Sequence, residues 1–379
     1  MKKSICVLAA LIAFSGVTHA QSTVTLFGIL DAGITYTNNN GGHSSWQLTS
    51  GNEQGARWGL RGVEDLGGGM KAIFQLENGF SMANGTLGQG GRIFGRQAWV
   101  ALSSDKYGSL TVGRQYNAIV DDLGPIQITS TLTGYAAHPL DNDASLATYR
   151  TNNMVKYTSQ RYGGFQAEGM YAFSNSTSFA VNRSYGVGAS YSSGAVTLGA
   201  AYVRLDKPGF NKDTIGAVAS DNFYSLATTP FLATAQTVHQ WGAGGTYSVG
   251  GATVGLLYTG ALFENPTTGS LFSGAAGSGG GAGSVRFQNV DGSIRYFFTP
   301  FLVGALGETY THATQGSGAG NYWQTNVGLQ YFLSKRTDLY FNAFYQKTSE
   351  NLKAWVLLTT SPSTTQTQVV GMIGIRHKF

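Results

Sequence analysis

The side chains of this sequence best suited to chemistry are basic residues that recur at even spacings. Arg57 and Arg61 are four residues apart, as are Arg92 and Arg96. Evenly spaced residues point to the same face of a β-strand. The set is completed by Lys71, Arg114 and Arg150, and by four acids between the last two, namely Asp121, Asp122, Asp141 and Asp143. Fixed charges that line a narrow aqueous passage act on ions through their electric field.

Enzymatic chemistry would need a nucleophile and a base within hydrogen-bond reach of each other. The histidines beyond residue 20 are scattered, and they are His43, His138, His239, His312 and His377. His312 has the hydroxyl of Thr314 nearby, but no serine motif or carboxylate cluster accompanies it. The histidines and paired acids also lack the spacing of metal ligands. We therefore predict no catalytic residues, no metal and no other cofactor.

The first 20 residues have the pattern of a cleaved export signal. Lys2 and Lys3 precede an apolar stretch, and Thr18-His19-Ala20 supplies small residues before the expected cut. The apolar stretch is shorter than the roughly 20 residues that span a bilayer. Removal of this segment leaves a mature domain of residues 21–379 without Cys6, the only cysteine. Its 22 basic and 19 acidic residues give a net charge of +3, too small to indicate nucleic-acid binding.

Composition indicates how such an exported chain could be stable. Gly 54, Tyr 20 and Phe 21 are high counts for 379 residues, and only 11% of the residues are charged. Soluble domains usually carry about 25% charged residues. The two classes that remain are a secreted β-sandwich and a closed β-barrel in lipid, in which every backbone N–H and C=O pairs with a neighbouring strand.

Alternation of apolar and polar residues favours the barrel. From Val24 to Thr37, Val24, Leu26, Leu30 and Ile34 share one face, whereas Asp31 and the neighbouring threonines share the other. Lipid-facing barrel strands repeat this pattern over about 9–11 residues. Sixteen such segments are predicted, at 24–37, 56–65, 70–80, 92–102, 107–116, 150–159, 163–173, 183–193, 195–205, 237–249, 252–263, 285–298, 301–313, 321–333, 336–348 and 367–379.

The connections between these segments alternate in length, as they do in outer-membrane barrels. Long polar connections are predicted at 38–55, 81–91, 117–149, 206–236, 264–284, 314–320 and 349–366. The glycine-rich run 274–284 is interpreted as an exposed loop, because a phosphate-binding loop would need a following helix and usually a lysine. The last strand ends in the aromatic residue Phe379, which suits closure beside the first strand.

Several segments resemble the general porins of β-proteobacteria. They are QSTVTLFGILDAGITY at 21–36, ARWGLRGVEDLGGGMKAIFQLENGF at 56–80, GRQAWVAL at 95–102, GSLTVGRQ at 108–115 and the terminal Phe379. The resemblance implies an all-β, transmembrane antiparallel 16-stranded barrel, a homotrimer in the outer membrane, that passes small hydrophilic solutes and ions. It also implies that the third long loop, 117–149, folds into the barrel and narrows it. Gly124-Pro125-Ile126-Gln127 stands where related loops often carry a Pro-Glu-Phe-Gly-type turn.

A barrel of this size leaves an aqueous channel, and arginine facing lipid at mid-membrane costs about 2–4 kcal/mol, so central arginines should point inward. We therefore predict that Arg57, Arg96, Arg114 and Arg150 line the constriction, opposite Asp121, Asp122, Asp141 and Asp143. Arg61, Lys71 and Arg92 are assigned to the wider lumen. Arg114 shares its parity with Leu110 and Val112, so an inward position would require a bulge.

The basic majority predicts a mild preference for anions. Two alternatives remain open from the sequence alone, a substrate-specific channel and an outer-membrane barrel hydrolase. The expected partners are two further copies of the chain, outer-membrane lipid and lipopolysaccharide, the barrel-assembly machinery, which would recognise Phe379, and the permeating solutes.

Overall fold

The computed structural model describes residues 22–208, 215–219, 234–272 and 283–379. The expected signal, residues 1–20, and most of the glycine-rich run 274–284 lie outside the described residues. The described chain is built almost entirely of antiparallel strands. Within it, no helix is long and apolar enough to cross a membrane.

The strands follow one another along the barrel wall in chain order. Their bounds are β1 Thr23–Asn40, β2 His43–Ser50, β3 Arg57–Gly67, β4 Met70–Gly79, β5 Gln97–Ser104, β6 Gly108–Gln115, β7 Thr151–Thr158, β8 Phe165–Ala172, β9 Arg183–Ser193, β10 Val196–Asp206, β11 Thr237–Val249, β12 Ala252–Glu264, β13 Val285–Thr299, β14 Leu302–Gln315, β15 Gly318–Phe332, β16 Thr337–Thr348 and β17 Thr367–Lys378. The loop 117–149 contains a π-helical turn at Ile119–Leu123, a short helix α1 at Ile128–Thr131, and 3₁₀ turns at Gly134–Ala136 and Pro139–Asp141.

The sheet closes on itself through β1. One edge of β1 pairs with β17, from Ile29 opposite Lys378 to Thr37 opposite Val370. Its other edge pairs with β3 along 23–29 and with β2 along 32–40. Because β2 and β3 share one position beside β1, the 17 strand segments form a closed 16-stranded antiparallel barrel. The predicted fold class is confirmed.

The two faces of the wall differ as the alternation predicted. On β1, Val24 and Leu26 are 63% and 57% exposed on the outer face. Asp31 and Thr35, on the inner face, are 0% and 2% exposed. A barrel in lipid requires this arrangement, with apolar side chains toward the hydrocarbon and polar ones toward the interior.

Three predicted boundaries were wrong. The connection 38–55 is largely a hairpin, in which β2 pairs with β1 along the barrel wall and the chain turns at Gly41-Gly42 with positive φ. The connection 314–320 is a tight turn between β14 and β15. Polar residues suggested loops at both places, although Trp46 and Leu48 of β2 are exposed on one face. The strand predicted at 92–102 begins only at Gln97, because Gly90 and Gly91 adopt turns with positive φ before it.

Phe379 seals the closure between the last and first strands. Its N–H donates to Gly28 O and Gly28 N–H donates to Phe379 O, both at 3.1 Å. The Phe379 ring lies on Gly28, where a Cβ would overlap it.

We expect F379A to lower the free energy of unfolding of the barrel in detergent by about 1–2 kcal/mol, because the ring, 39% exposed, loses its apolar contact with Gly28 and its neighbours. Urea titration of the refolded chain measures this change. A matched truncation at Phe301, a 58%-exposed aromatic in a short turn, should cost less, and an equal cost would contradict a sealing role for Phe379.

Candidate functional site

Three of the predicted arginines meet on the inner wall, although they come from separate segments. Arg57 begins β3, Arg96 directly precedes β5, and Arg150 directly precedes β7. The side chains of Arg57 and Arg96 are 18% and 10% exposed, and Arg150 is 6% exposed. We refer to Arg57, Arg96 and Arg150 as the basic cluster.

Glu77 and Tyr116 hold the basic cluster together. Arg96 Nε donates to Glu77 Oε1, and Arg57 Nη1 lies 3.9 Å from the same oxygen. The Tyr116 hydroxyl accepts from Arg96 Nη2 at 2.9 Å and from Arg150 Nη2 at 3.4 Å. Two of the three guanidinium groups therefore contact Glu77, and Arg150 is linked to Arg96 through Tyr116. The three arginines together with Glu77 have a net charge of +2.

The positive charge of the basic cluster lowers the pKa of the Tyr116 phenol. Burial alone would raise the pKa of Tyr116, but the Arg96 and Arg150 guanidinium groups outweigh burial and hold that pKa below its usual value. The Arg150 guanidinium also lies 5.2 Å from the centre of the Tyr116 ring, within cation–π range. No signal in the sequence linked Glu77 or Tyr116 to the arginines.

Arg114 lies apart from the basic cluster. It is paired with Ala98 on β5 and shares the outer parity of Leu110 and Val112, which are 48% and 47% exposed. Its guanidinium donates to Gly95 O at 2.8 Å and to Asn152 Oδ1. The irregular register between Gly113 and Gln115 does not return Arg114 to the inner face. The structure therefore contradicts the prediction that Arg114 lines the constriction.

The three residues assigned to the wider lumen have different positions. Arg61 on β3 is exposed and shares the inner parity of Arg57. Lys71 is on the inner face of β4, near the short turn, and pairs with Asp105 at 3.1 Å. Arg92 precedes β5 in a turn and donates to Gln89 O at 2.7 Å, so its predicted place on a strand was wrong.

The loop 117–149 packs against the inner face of the barrel. Ile119, Leu123 and Ile126 form an apolar cluster with inward residues of β10, β12 and β13, among them Val203, Leu205, Leu257, Phe263 and Phe287. Further along the loop, Leu132 and Tyr135 pack with Phe344 of β16 and Val370 of β17. The loop therefore occupies part of the barrel interior.

Inward glycines make room for the loop on the strands. A Cβ on Gly307 would overlap the Ile128 side chain, and one on Gly328 would overlap Leu132. On β11, a Cβ on Gly242 would lie 2.7 Å from Leu123 Cδ1. These close approaches account for part of the high glycine content, which the sequence analysis noted without assigning it a role.

Asp121 and Asp122 are both engaged with the wall. The Asp121 carboxylate pairs with Lys156 Nζ on β7. Asp122 is 7% exposed and lies directly against Gly188 on β9. Both line a cavity of about 460 Å³ whose other lining groups include Lys156, Arg161 and Glu168. Positive and negative groups are therefore interleaved in this part of the interior.

Asp141 and Asp143 are buried inside the loop, both 0% exposed, so the prediction that they face the aqueous constriction was wrong. The Asp141 carboxylate accepts from Leu146 N–H at 2.9 Å and from the Thr148 hydroxyl at 2.6 Å, which holds the turn of the loop. Burial, together with the nearby Asp143, raises the pKa of Asp141 to about 7.

His138 joins the loop to the barrel wall through two carboxylates. Its Nδ1 lies 2.7 Å from Asp143 Oδ2 in the loop, and its Nε2 lies 2.6 Å from Asp291 Oδ1 on β13. Thr259 on β12 donates a further hydrogen bond to Asp143, at 2.5 Å. Burial opposes the charge on His138, but the two carboxylates raise the pKa of His138 well above its usual value. We refer to His138, Asp143 and Asp291 as the histidine clasp.

Among the loop side chains that the structure describes, only Pro125 and Ser130 are exposed, and both are uncharged. All four acids of the loop have protein partners or lie packed against the wall. The net positive basic cluster therefore has no exposed carboxylate of this loop to balance it.

The part of the chain described here contains no group of three or more His, Cys, Asp or Glu residues arranged to hold a metal ion. His138, the histidine with two carboxylate partners, is only 2% exposed. His312 contacts Asn321 at 2.7 Å, and His377 contacts Thr337 at 2.9 Å.

Comparison with known proteins gives a consistent result. Residues 7–351 match the Gram-negative porin family. The chain is 32% identical, over 416 residues and the full length of both proteins, to an outer membrane porin protein of Bordetella pertussis. It is 28% identical, again over the full length of both, to outer membrane porin protein 32 of Delftia acidovorans. The anion-selective porin from Comamonas acidovorans has the same fold, with a TM-score of 0.75 over 95% of this chain and 100% of that one, at 23% identity. The chain therefore belongs to the Gram-negative porin family and is a channel protein of the outer membrane.

Proposed function

We propose that this chain is a passive diffusion channel for small hydrophilic solutes and ions, with a mild preference for anions set by the basic cluster. The observation that carries the proposal is the imbalance of charge at the inner wall. Three arginines lie together with a single carboxylate, Glu77, which contacts two of them, and the acids of the loop 117–149 are buried or paired. In a narrow, poorly screened passage, such a cluster attracts anions and repels cations.

The loop 117–149 would narrow the passage. Its apolar contacts are with strands between β7 and β17, so permeation would be directed toward the side of β1 to β5, beside the basic cluster. The Comamonas acidovorans relative is named an anion-selective porin, which agrees with this assignment. Arg61 and Lys71, on the inner faces of β3 and β4, would add to the positive field away from the narrowest point.

We do not propose an enzymatic activity for this chain. His138, which is the described histidine most similar to a catalytic one, is enclosed by the loop and two strands, and its two nitrogens are engaged by carboxylates. A base in that position could not reach a substrate. A lipid-hydrolysis assay on the purified barrel would test this exclusion.

Export across the inner membrane and assembly into a trimer are proposed because the chain belongs to the porin family. The mature chain would begin at Gln21 after cleavage of residues 1–20, and three copies would associate in the membrane. Exposed apolar residues on the outer faces of β1 and β17, such as Leu26 and Ile373, would contact lipid, lipopolysaccharide or another subunit. Phe379, at the closing seam, would serve as the recognition signal for the barrel-assembly machinery.

In a planar bilayer with a tenfold KCl gradient, the refolded mature chain is expected to give a reversal potential of the sign that indicates chloride preference. Conductance steps in groups of three would report the trimer. Clear potassium preference would contradict the assignment of the basic cluster. Saturating block by one solute class would instead favour a substrate-specific channel.

A further inference from the structure

The chain leaves the barrel wall between β2 and β3 and forms a short segment, residues 51–56. Gly51, where the departure begins, has a φ of +76°. A Cβ on Gly51 would lie 2.7 Å from the Cα of Gly55, so the two ends of this segment approach each other closely. Glycine at position 51 therefore permits a compact turn that a larger residue would obstruct.

The segment turns toward the inside of the barrel, and Asp31 holds it there. The inward carboxylate of Asp31 accepts the N–H groups of Glu53 at 2.9 Å and Gln54 at 2.7 Å. The same carboxylate accepts from the Tyr340 hydroxyl of β16 at 2.7 Å. A carboxylate that satisfies two successive backbone donors fixes the path of the segment.

Segment 51–56 reaches two parts of the proposed constriction. At one end, a Cβ on Gly55 would lie 3.3 Å from Arg96 Nη1 of the basic cluster. At the other, Glu53 borders the same small cavity as Leu132 of the loop 117–149. The segment therefore spans the distance between the arginines and the loop along the inner wall.

Glu53 brings a carboxylate to this position. Its Oε2 accepts from Asn342 Nδ2 on β16 at 3.0 Å, and the side chain remains partly exposed. Burial raises the pKa of Glu53 to about 7, although the charge of Arg376 on β17 acts in the opposite direction. Arg376 is itself paired with Asp338 at 3.0 Å. Above pH 7 the carboxylate of Glu53 is therefore charged and only partly compensated by the wall behind it.

We propose that segment 51–56 is a second constriction element, fixed to the inner wall between the loop 117–149 and the basic cluster, and that Glu53 is an ion-specificity-determining residue of the channel. Its carboxylate opposes the field of the basic cluster and keeps the anion preference mild. This inference rests on the proposed channel function. The acidic residue that opposes the arginines would then lie in the segment between β2 and β3, whereas the sequence predicted such residues in the loop 117–149.

The test is the reversal potential of E53Q in the same KCl gradient at about pH 9, well above the pKa of Glu53, which burial raises to about 7. The amide retains an oxygen that can accept from Asn342, so the substitution removes the charge and preserves the shape. We expect the chloride-to-potassium permeability ratio to rise about two- to threefold, as expected when one unit charge several ångströms from the ion path is removed in a largely aqueous medium. E53D keeps the charge and should stay within the wild-type range.

Two further variants make the test decisive. Q54E adds a carboxylate at the exposed neighbouring position and should lower the ratio by a similar factor. E308Q, at an exposed carboxylate on the outer face of β14 that accepts from Thr325, should leave it unchanged. Equal ratios in E53Q and wild type, or equal shifts in E53Q and E53D, would overturn the proposal. If the wild-type chain itself forms no ion-conducting channel, the proposed function fails instead.

Discussion

In a chain that carries His138→Leu, the free energy of unfolding is expected to fall by about 3–5 kcal/mol, the range found when one partner of a buried ion pair is removed. The imidazole is 2% exposed and joins Asp143 of the loop to Asp291 of β13. Leucine would leave both carboxylates buried without their shared cation. Urea unfolding of the refolded barrel in detergent or thin bilayers measures the loss.

The dependence on pH follows from the same contacts. The two carboxylates raise the pKa of His138 well above 6.5 in the folded protein. The contribution of His138 to the free energy of unfolding is therefore full below about pH 6.5, and it is lost as the pH rises through the pKa of the folded state. His138 lowers the pKa of Asp143 from 3.8 to about 2. The contribution of Asp143 to the free energy of unfolding is therefore present above about pH 3.8, and it is lost as the pH falls toward 2. The difference in stability between wild type and H138L should therefore be largest between about pH 4 and 6.5. Asp141 titrates in both chains.

A triple variant separates charge from packing. In H138L/D143N/D291N the buried charges are gone, so most of the lost stability should return, as when buried ion pairs are replaced by neutral groups. H312L, at a partly exposed histidine that contacts Asn321, is the matched control and should have a small effect. If H138L and H312L lose equal stability, the histidine clasp does not anchor the loop.

The barrel itself could be predicted from the sequence because lipid imposes a strict two-residue period on each strand. That period placed Val24 and Leu26 outside and Asp31 inside, and it assigned Arg57 and Arg61 to the inner face. It also gave the parity of Arg114, which the structure shows on the outer face. In β2 only Trp46 and Leu48 carry the period among polar residues, and this explains why the β1–β2 hairpin was interpreted as a loop.

The details of the interior could not be predicted, since they depend on contacts between segments far apart in the chain. Nothing in the sequence shows that Asp143 meets His138, or that Tyr116 receives hydrogen bonds from two arginines. A local sequence pattern cannot show which acidic residues of a polar loop are buried and which face the channel. The structure distinguishes acids that stabilise the loop, such as Asp141, from Glu53, which lies outside that loop.

The largest change in ion selectivity is expected when the charges of the basic cluster are removed. The variant R57Q/R96Q/R150Q/E77Q removes three guanidinium groups and the neighbouring Glu77 carboxylate, a net loss of two positive charges, without leaving Glu77 buried and unpaired. If each net charge changes the permeability ratio about two- to threefold, the chloride-to-potassium ratio should fall roughly four- to ninefold. This is enough to turn a mild anion preference into a cation preference.

The control for this variant is R286Q/R336Q/K347Q, which removes three positive charges from exposed positions on the outer face or in a short turn. Selectivity that depended on the total charge of the protein would change more in the control, which loses the greater net charge. Selectivity that depends on charge beside the ion path would change in the cluster variant and stay close to wild type in the control. An anion preference that survives removal of the basic cluster would show that the field is set elsewhere on the wall, with Arg61 and Lys71 as the next residues to neutralise. Because three of the glutamines have smaller side chains than the arginines they replace, single-channel conductance should rise in the cluster variant as its anion preference disappears.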